Sequence, residues 1–282
     1  MHRRSIHSTR TPRARARRLE PSSAAPAVLA LAVSALAVLA LAVLATRARG
    51  GDVSAASPDG PPDGQPDGSP DGSPPHELRR IRGWAVHVDA SLLAGEHAEL
   101  GANALDVLEH KLHDVLLVVP DDKHAALREV PIWLDRAHAL RAMQYHPSRG
   151  WLESNGHDPR MEKCVHVPRA AGLVEHARSN HQPCVMLHEL AHAYHDRVLG
   201  FDHAGIRAAW DRIVDAKSYE SVLHIRGKLV RHYALENHKE FFAEATECYF
   251  GTNDFYPFVR SELEDHDPET YRLLEAIWGK QP

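Results

Sequence analysis

Histidine and glutamate recur at a helical spacing in the short segment "VMLHELAH", residues 185–192. Residues four apart lie on one face of an α-helix, so His188 and His192 can present two imidazoles to one metal ion. Glu189 lies about 100° further round the helix, from where it can reach a water molecule bound to that ion. The spacing therefore predicts a zinc site with Glu189 as general base.

Histidine makes up 22 of the 282 residues, so this pattern would arise by chance in about one such chain in ten. The surrounding residues are apolar or small and include no proline or glycine, which favours a continuous buried helix. His195 lies two turns beyond His188, too far to share its metal, and we interpret it either as a residue that orients the site or as a solvated one. Other histidines close to these motifs in sequence are interpreted as surface or hydrogen-bonded residues: His166, His176, His181, His203, His224, His232 and His238.

A catalytic zinc ion takes three protein ligands and keeps one position open for water, so a third ligand must come from elsewhere in the chain. The best source is the predicted helix at 237–250, where glutamates recur at three- or four-residue steps. Aromatic and alanine neighbours indicate that Glu240 and Glu244 face a packed surface, where a carboxylate without a cation is costly. The residues alone therefore leave both Glu240 and Glu244 as candidates for the third ligand. Glu247 is assigned to a solvated acidic face.

The motif HELAH, followed by "HYALENHKEFFAEA" at 232–245, resembles the gluzincins, which are zinc peptidases with a glutamate as third ligand. Within that group it is similar to the anthrax lethal factor type, in which a tyrosine precedes a helix that carries a glutamate, two aromatics and Ala-Glu-Ala. The resemblance covers about residues 182–250. It implies one zinc ion per chain, Glu189 as the catalytic glutamate and Tyr233 as the residue that stabilises the oxyanion. The ligands that it implies are His188, His192 and Glu240, which leaves Glu244 as the alternative ligand or as the residue that orients a ligand histidine.

The rest of the chain departs from the toxin and is similar to uncharacterised metallopeptidases of bacteria and fungi, so the toxin's substrate is not carried over. The resemblance implies a zinc metalloendopeptidase that hydrolyses peptide or protein substrates with a metal-activated water. One alternative is a non-catalytic, envelope-associated zinc-binding module that retains the peptidase fold. Another is a structural domain in which the histidine motif is coincidental, although this also requires a chance match in the downstream tyrosine and glutamates.

The remaining patterns predict an α+β domain in which strands precede most of the helices. Together with the resemblance, they favour a zincin-like fold with a short mixed sheet and an active-site helix. Strands are predicted at 114–120, 129–135, 161–168 and 222–230, and helices at 99–113, 169–180, 204–216 and 237–250, with a last helix from Asp267 and Pro268. The strand at 161–168 is expected at a sheet edge because Pro168 cannot donate to a ladder, and there it could pair with an extended substrate.

The N-terminal region differs in composition from the rest of the chain. Residues 1–48 combine seven arginines in the first 18 positions with an uncharged apolar run at 27–45, which predicts a signal peptide or a single membrane anchor and export across the membrane. Both alternatives stay open, and the membrane is a partner only if the segment is uncleaved. Residues 49–76 repeat Pro-Asp-Gly and predict a disordered linker, so the folded domain is expected at 77–282.

Composition and cysteine count limit the other possibilities. A net charge of -5 gives no argument for nucleic-acid binding. Cys164, Cys184 and Cys248 form an odd set, which allows either one disulfide or three free thiols. Nothing in the sequence indicates the oligomeric state.

Overall fold

The computed structural model describes residues 75–281. The predicted apolar segment at 27–45 and almost all of the predicted linker lie outside the described residues. Within the described range, none of the helices combines the length and the apolar character needed to cross a membrane.

The described residues contain a five-stranded mixed sheet with the strand order β1-β2-β3-β5-β4. Its strands are β1 (His76–Ile81), β2 (Trp84–Asp89), β3 (Ile132–Leu134), β4 (Gln144–Tyr145) and β5 (Val165–Val167). β1 and β2 form an antiparallel hairpin, β2, β3 and β5 run parallel, and β4 pairs antiparallel with β5. A short mixed sheet among helices confirms the α+β class.

The helices fill the rest of the described chain. They are α1 (Ala98–Val118), α2 (Asp121–Arg128), α3 (Arg149–Ser154), α4 (Ala170–Ser179), α5 (Val185–Tyr194), α6 (Ala204–Ala216), α7 (His238–Phe250), α8 (Arg260–His266) and α9 (Pro268–Trp278). Asp267 caps α9 as predicted, since its side chain accepts a hydrogen bond from the Thr270 amide. The segment 222–230 forms two strands, β6 (Val222–Leu223) and β7 (Leu229–Val230), because the chain reverses at Gly227, which has a φ of +76°.

Two strand predictions are corrected by the structure. The segment 114–120 is the end of α1, because Leu108, Leu112 and Val115 continue one buried helical stripe into it. The strand expected at 161–168 exists as β5, but it lies between β3 and β4 and its three residues are buried. Pro168 therefore follows the end of an interior strand, and β4 occupies the sheet edge instead.

Helices α5 and α7 pack against each other and form the centre of the domain. Nine of the ten residues of α5 are buried, so its polar side chains are held between packed apolar neighbours. Asn237 caps α7 by accepting hydrogen bonds from the amides of Lys239 and Glu240, which fixes the first turn of this helix. Beyond Tyr194 the helix α5 widens into a π-helical turn over residues 195–199, a feature common near functional sites.

The cysteines and tryptophans complete the core. Cys164, Cys184 and Cys248 are all free thiols, so the second of the two predicted alternatives holds. Trp84 lies in the main core, and its indole donates a hydrogen bond to the Leu127 carbonyl at 2.8 Å. Trp133 and Trp151 pack in a smaller cluster with Leu152, Met161 and Cys164.

Candidate metal centre

Three side-chain atoms from α5 and α7 converge in the structure. The Nε2 atoms of His188 and His192 are 3.1 Å apart, and each lies 3.2 Å from Oε2 of Glu240. A tetrahedral zinc ion with bonds of about 2.0–2.1 Å holds its ligand atoms about 3.3–3.4 Å apart. The three residues therefore fit a zinc ion, and the structure brings together the set that the sequence predicts.

The carboxylate of Glu247 orients the first of these histidines. Its Oε1 lies 2.7 Å from Nδ1 of His188, so the imidazole presents Nε2 to Glu240 and His192. Burial lowers the pKa of His188, but hydrogen bonds to Glu240 and Glu247 outweigh burial and raise the pKa well above its ordinary value.

Glu247 corrects the sequence prediction, which assigned it to a solvated face. Its side chain is fully buried, and it contacts His188 directly, whereas the nearest carboxylate oxygen of Glu244 is 3.7 Å from the same nitrogen. The orienting role that the sequence suggests for Glu244 is therefore better filled by Glu247. The sequence contains a pattern that could have predicted this position of Glu247. Glu240, Glu244 and Glu247 are three or four residues apart and therefore lie on one face of α7.

The carboxyl groups of Glu244 and Glu247 are buried beside His188, and burial disfavours their charged form. Burial raises the pKa of Glu244 well above its usual range, and the neighbouring Glu247 carboxylate raises it further. Burial also raises the pKa of Glu247. Among the described residues, Oε2 of Glu244 and Oε2 of Glu247 lack hydrogen-bond partners. Because buried carboxylates without a counter-ion are costly, this environment favours a cation at the adjacent ligand atoms.

Glu189 is held beside the three ligand atoms by the edge strand of the sheet. The backbone amide of Tyr145 in β4 donates a 2.8 Å hydrogen bond to Oε2 of Glu189. Burial raises the pKa of Glu189, although the neighbouring imidazoles of His188 and His192 oppose this shift. A carboxylate with a raised pKa is suited to accept a proton near neutral pH.

Strand β4 is anchored on its other side by a charged network. The Tyr145 hydroxyl donates to Oδ2 of Asp196 at 2.8 Å, and Nζ of Lys163 donates to the same oxygen at 2.5 Å. Sequence reasoning did not identify Tyr145, since its contact with Glu189 is made by a backbone amide that any residue except proline carries.

Tyr233 lies in a single helical turn directly before α7 and is 40% exposed. Partial burial and then the Glu240 carboxylate raise the pKa of its hydroxyl to about 12. The hydroxyl therefore stays protonated near neutral pH and can donate a hydrogen bond close to the ligand atoms.

His195 fits neither of its two predicted alternatives. It is fully buried, its ring packs edge-on against Phe201 and Phe242, and its two ring nitrogens lack hydrogen-bond partners among the described residues. Burial lowers its pKa to about 3. It is a neutral core residue, neither solvated nor hydrogen-bonded to a ligand side chain.

The α+β domain and the grouping of two histidines with a glutamate are features of the zinc-peptidase class. Residues 136–277 match the model of the family described as anthrax toxin lethal factor, N- and C-terminal domain. This match covers half of the chain, and the chain belongs to that family, which is one of zinc metalloproteases. No curated protein and no solved structure matches the chain.

Glu247→Gln is expected to weaken zinc affinity by about 10- to 100-fold, the usual effect of altering a residue that orients a metal ligand. The glutamine removes the negative charge that supports His188 while preserving the side chain's size. Competition with a zinc chelator measures the affinity. Glu236→Gln is the matched control, because Glu236 is exposed and pairs with Arg231. Equal affinities for both variants would contradict the orienting role.

Proposed function

We propose that this protein is a zinc-dependent endopeptidase with one catalytic zinc ion, held by His188, His192 and Glu240. The proposal is carried by one observation: three ligand atoms from two helices lie within 3.2 Å of one another beside the buried Glu189. Family membership supports a peptide or protein substrate.

In the proposed mechanism, each side chain of this site has a separate chemical role. Zinc held by His188, His192 and Glu240 would supply positive charge that acidifies water and polarises a carbonyl. Glu189 would accept a proton from the attacking water and then transfer it to the leaving amine. The Tyr145 amide keeps the Glu189 carboxylate oriented during both transfers. Tyr233 donates its hydroxyl hydrogen to the developing oxyanion.

Export is part of the same proposal. The basic N-terminus and the apolar segment at 27–45 would carry the domain across the cytoplasmic membrane, with the segment either cleaved or kept as an anchor. The three free thiols are compatible with either alternative.

Zinc quantification combined with an unbiased peptide-cleavage screen tests the function on the full chain. His192→Ala is expected to lower the zinc content by one ion per chain and to abolish cleavage, because it removes one of three ligands. His181→Ala is the matched control, since His181 is exposed, and it should retain both. Wild-type protein that holds this zinc ion but cleaves no peptide would contradict the proposal and favour the non-catalytic zinc-binding module.

A further inference from the structure

A second group of potential metal ligands lies at the carboxyl ends of two parallel strands. Asp135 directly follows β3, and His166 lies in the neighbouring β5, with the Asp135 amide bonded to the Val167 carbonyl at 2.9 Å. Oδ2 of Asp135 and Nε2 of His166 are 2.9 Å apart. His138 is three residues further along the chain, and one ligand atom from each of the three residues lies within 4.8 Å of the others.

Further imidazoles surround this group. Nε2 of His76 lies 2.6 Å from the second oxygen of Asp135, and Nε2 of His146 lies 3.2 Å from Nδ1 of His166. The His138 ring meets the His166 ring edge-on at 4.7 Å and lies 5.1 Å from the ring of His157. Five imidazoles and one carboxylate are thus concentrated at one end of the sheet. Nδ1 of His76 is buried without a hydrogen-bond partner among the described residues.

We infer that Asp135, His138 and His166 form a second metal site, which binds a divalent transition-metal ion such as zinc. Two imidazoles and one carboxylate are a donor set that zinc accepts, whereas calcium and magnesium prefer oxygen ligands. Asp135 and His166 are 6% and 0% exposed, so two of the three ligands are fixed by the sheet. An ion here would also neutralise the buried carboxylate.

The third ligand, His138, lies on a loop. His138 is half-buried in the loop between β3 and β4, and its Nδ1 accepts a hydrogen bond from the Leu140 amide at 3.1 Å. Metal coordination by His138 would replace this hydrogen bond, because an imidazole that binds a metal through Nε2 carries its proton on Nδ1. Ligand atoms around a tetrahedral ion lie about 3.3–3.4 Å apart, so closure from 4.8 Å requires a shift of about 1.4 Å at most. A side chain on a loop accommodates such a shift more readily than one in a strand.

The second site shares no residue with the first, and an ion in it would have a structural role. It would tie the loop after β3 to β5, next to β4, whose Tyr145 amide contacts Glu189. The alternative arrangement is one of hydrogen bonds alone, in which His76 and His166 both contact the Asp135 carboxylate. The number of bound ions distinguishes the two arrangements.

Metal counting on the full chain tests this inference independently of peptidase activity. After loading with zinc and removal of the excess, the wild type is expected to retain two ions per chain and His138→Ala one. Because His138 is on a loop, this variant is expected to fold, and circular dichroism checks that it does. Asp135→Asn provides a second variant within the buried part of the site. His110→Ala is the control, because the His110 side chain is 71% exposed.

The outcomes separate the two sites. His192→Ala should lose the ion of the first site and keep the second, and the variant that combines it with His138→Ala should hold none. Cobalt bound in place of zinc gives a visible absorption spectrum. Each single variant should lose the absorption bands of its own site and keep those of the other site. An unchanged metal content in folded His138→Ala would overturn the inference while leaving the proposed peptidase intact. An equal loss in His110→Ala would show adventitious binding to surface histidines and would also overturn it.

Discussion

Glu189→Gln is expected to lower kcat/KM for peptide hydrolysis by about 10²- to 10⁴-fold, the contribution typical of a general base. The amide cannot accept the proton of the attacking water. Its oxygen can still accept the hydrogen bond that the Tyr145 amide gives to Glu189 at 2.8 Å, so the position of the side chain should be preserved. The loss of activity would then come from the missing proton acceptor and not from misfolding.

Parallel measurements of cleavage and zinc content check this expectation. The zinc content of Glu189→Gln should equal that of the wild type, because Glu189 is not among the three proposed ligands. Glu175→Gln is the matched control, since Glu175 is an exposed residue of α4. A Glu189→Gln protein that cleaves at the wild-type rate would remove the basis for the proposed mechanism.

Glu240→Gln is expected to weaken zinc affinity at the first site by more than about 100-fold, beyond the 10- to 100-fold effect usual for a residue that only orients a ligand. The structure explains the expectation. Oε2 of Glu240 is 3.2 Å from the Nε2 atoms of both His188 and His192. Among the ion pairs of the described residues, no other carboxylate oxygen contacts both of these nitrogens. The neutral amide of glutamine would be a much weaker ligand for a divalent cation.

Glu244→Gln provides the comparison, because the sequence left Glu244 as the alternative ligand. Its carboxylate approaches Nδ1 of His188, the nitrogen on the other side of the ring, at 3.7 Å. This variant should therefore keep its zinc ion. Titration of both variants with zinc in a competing chelator measures the difference, and a Glu244→Gln protein that loses zinc while Glu240→Gln retains it would reverse the assignment.

Local spacing was enough to predict the parts of the site that lie on one helix. His188, Glu189 and His192 are separated by one turn or less, and their apolar neighbours indicate burial of α5. The same holds for α7, which was predicted at 237–250 and begins at His238 after its capping residue Asn237. Choosing Glu240 over Glu244 required a resemblance, since the pairing of α5 with α7 is a long-range contact that no local pattern encodes.

The features that the sequence analysis predicted wrongly or did not identify have a common physical cause. Residues 114–120 are rich in β-branched residues, but burial against the core continued the helix α1 through Val118, so tertiary packing outweighed local propensity. Glu247 looks solvated in a one-dimensional pattern because the burial of α7 on all sides is not visible there. The Asp135, His138 and His166 group depends on the pairing of β3 with β5, which brings residues 31 positions apart into contact.

The edge strand β4 has a consequence for the association of this protein with itself. An exposed strand edge normally offers a row of free amides and carbonyls to which another chain can add, which promotes aggregation. Here the edge strand has only two residues, and the Tyr145 amide is already engaged by a carboxylate from the helix beneath. The contact that orients Glu189 thus also removes a donor from this edge, so β4 is poorly suited to pair with a strand from a neighbouring molecule.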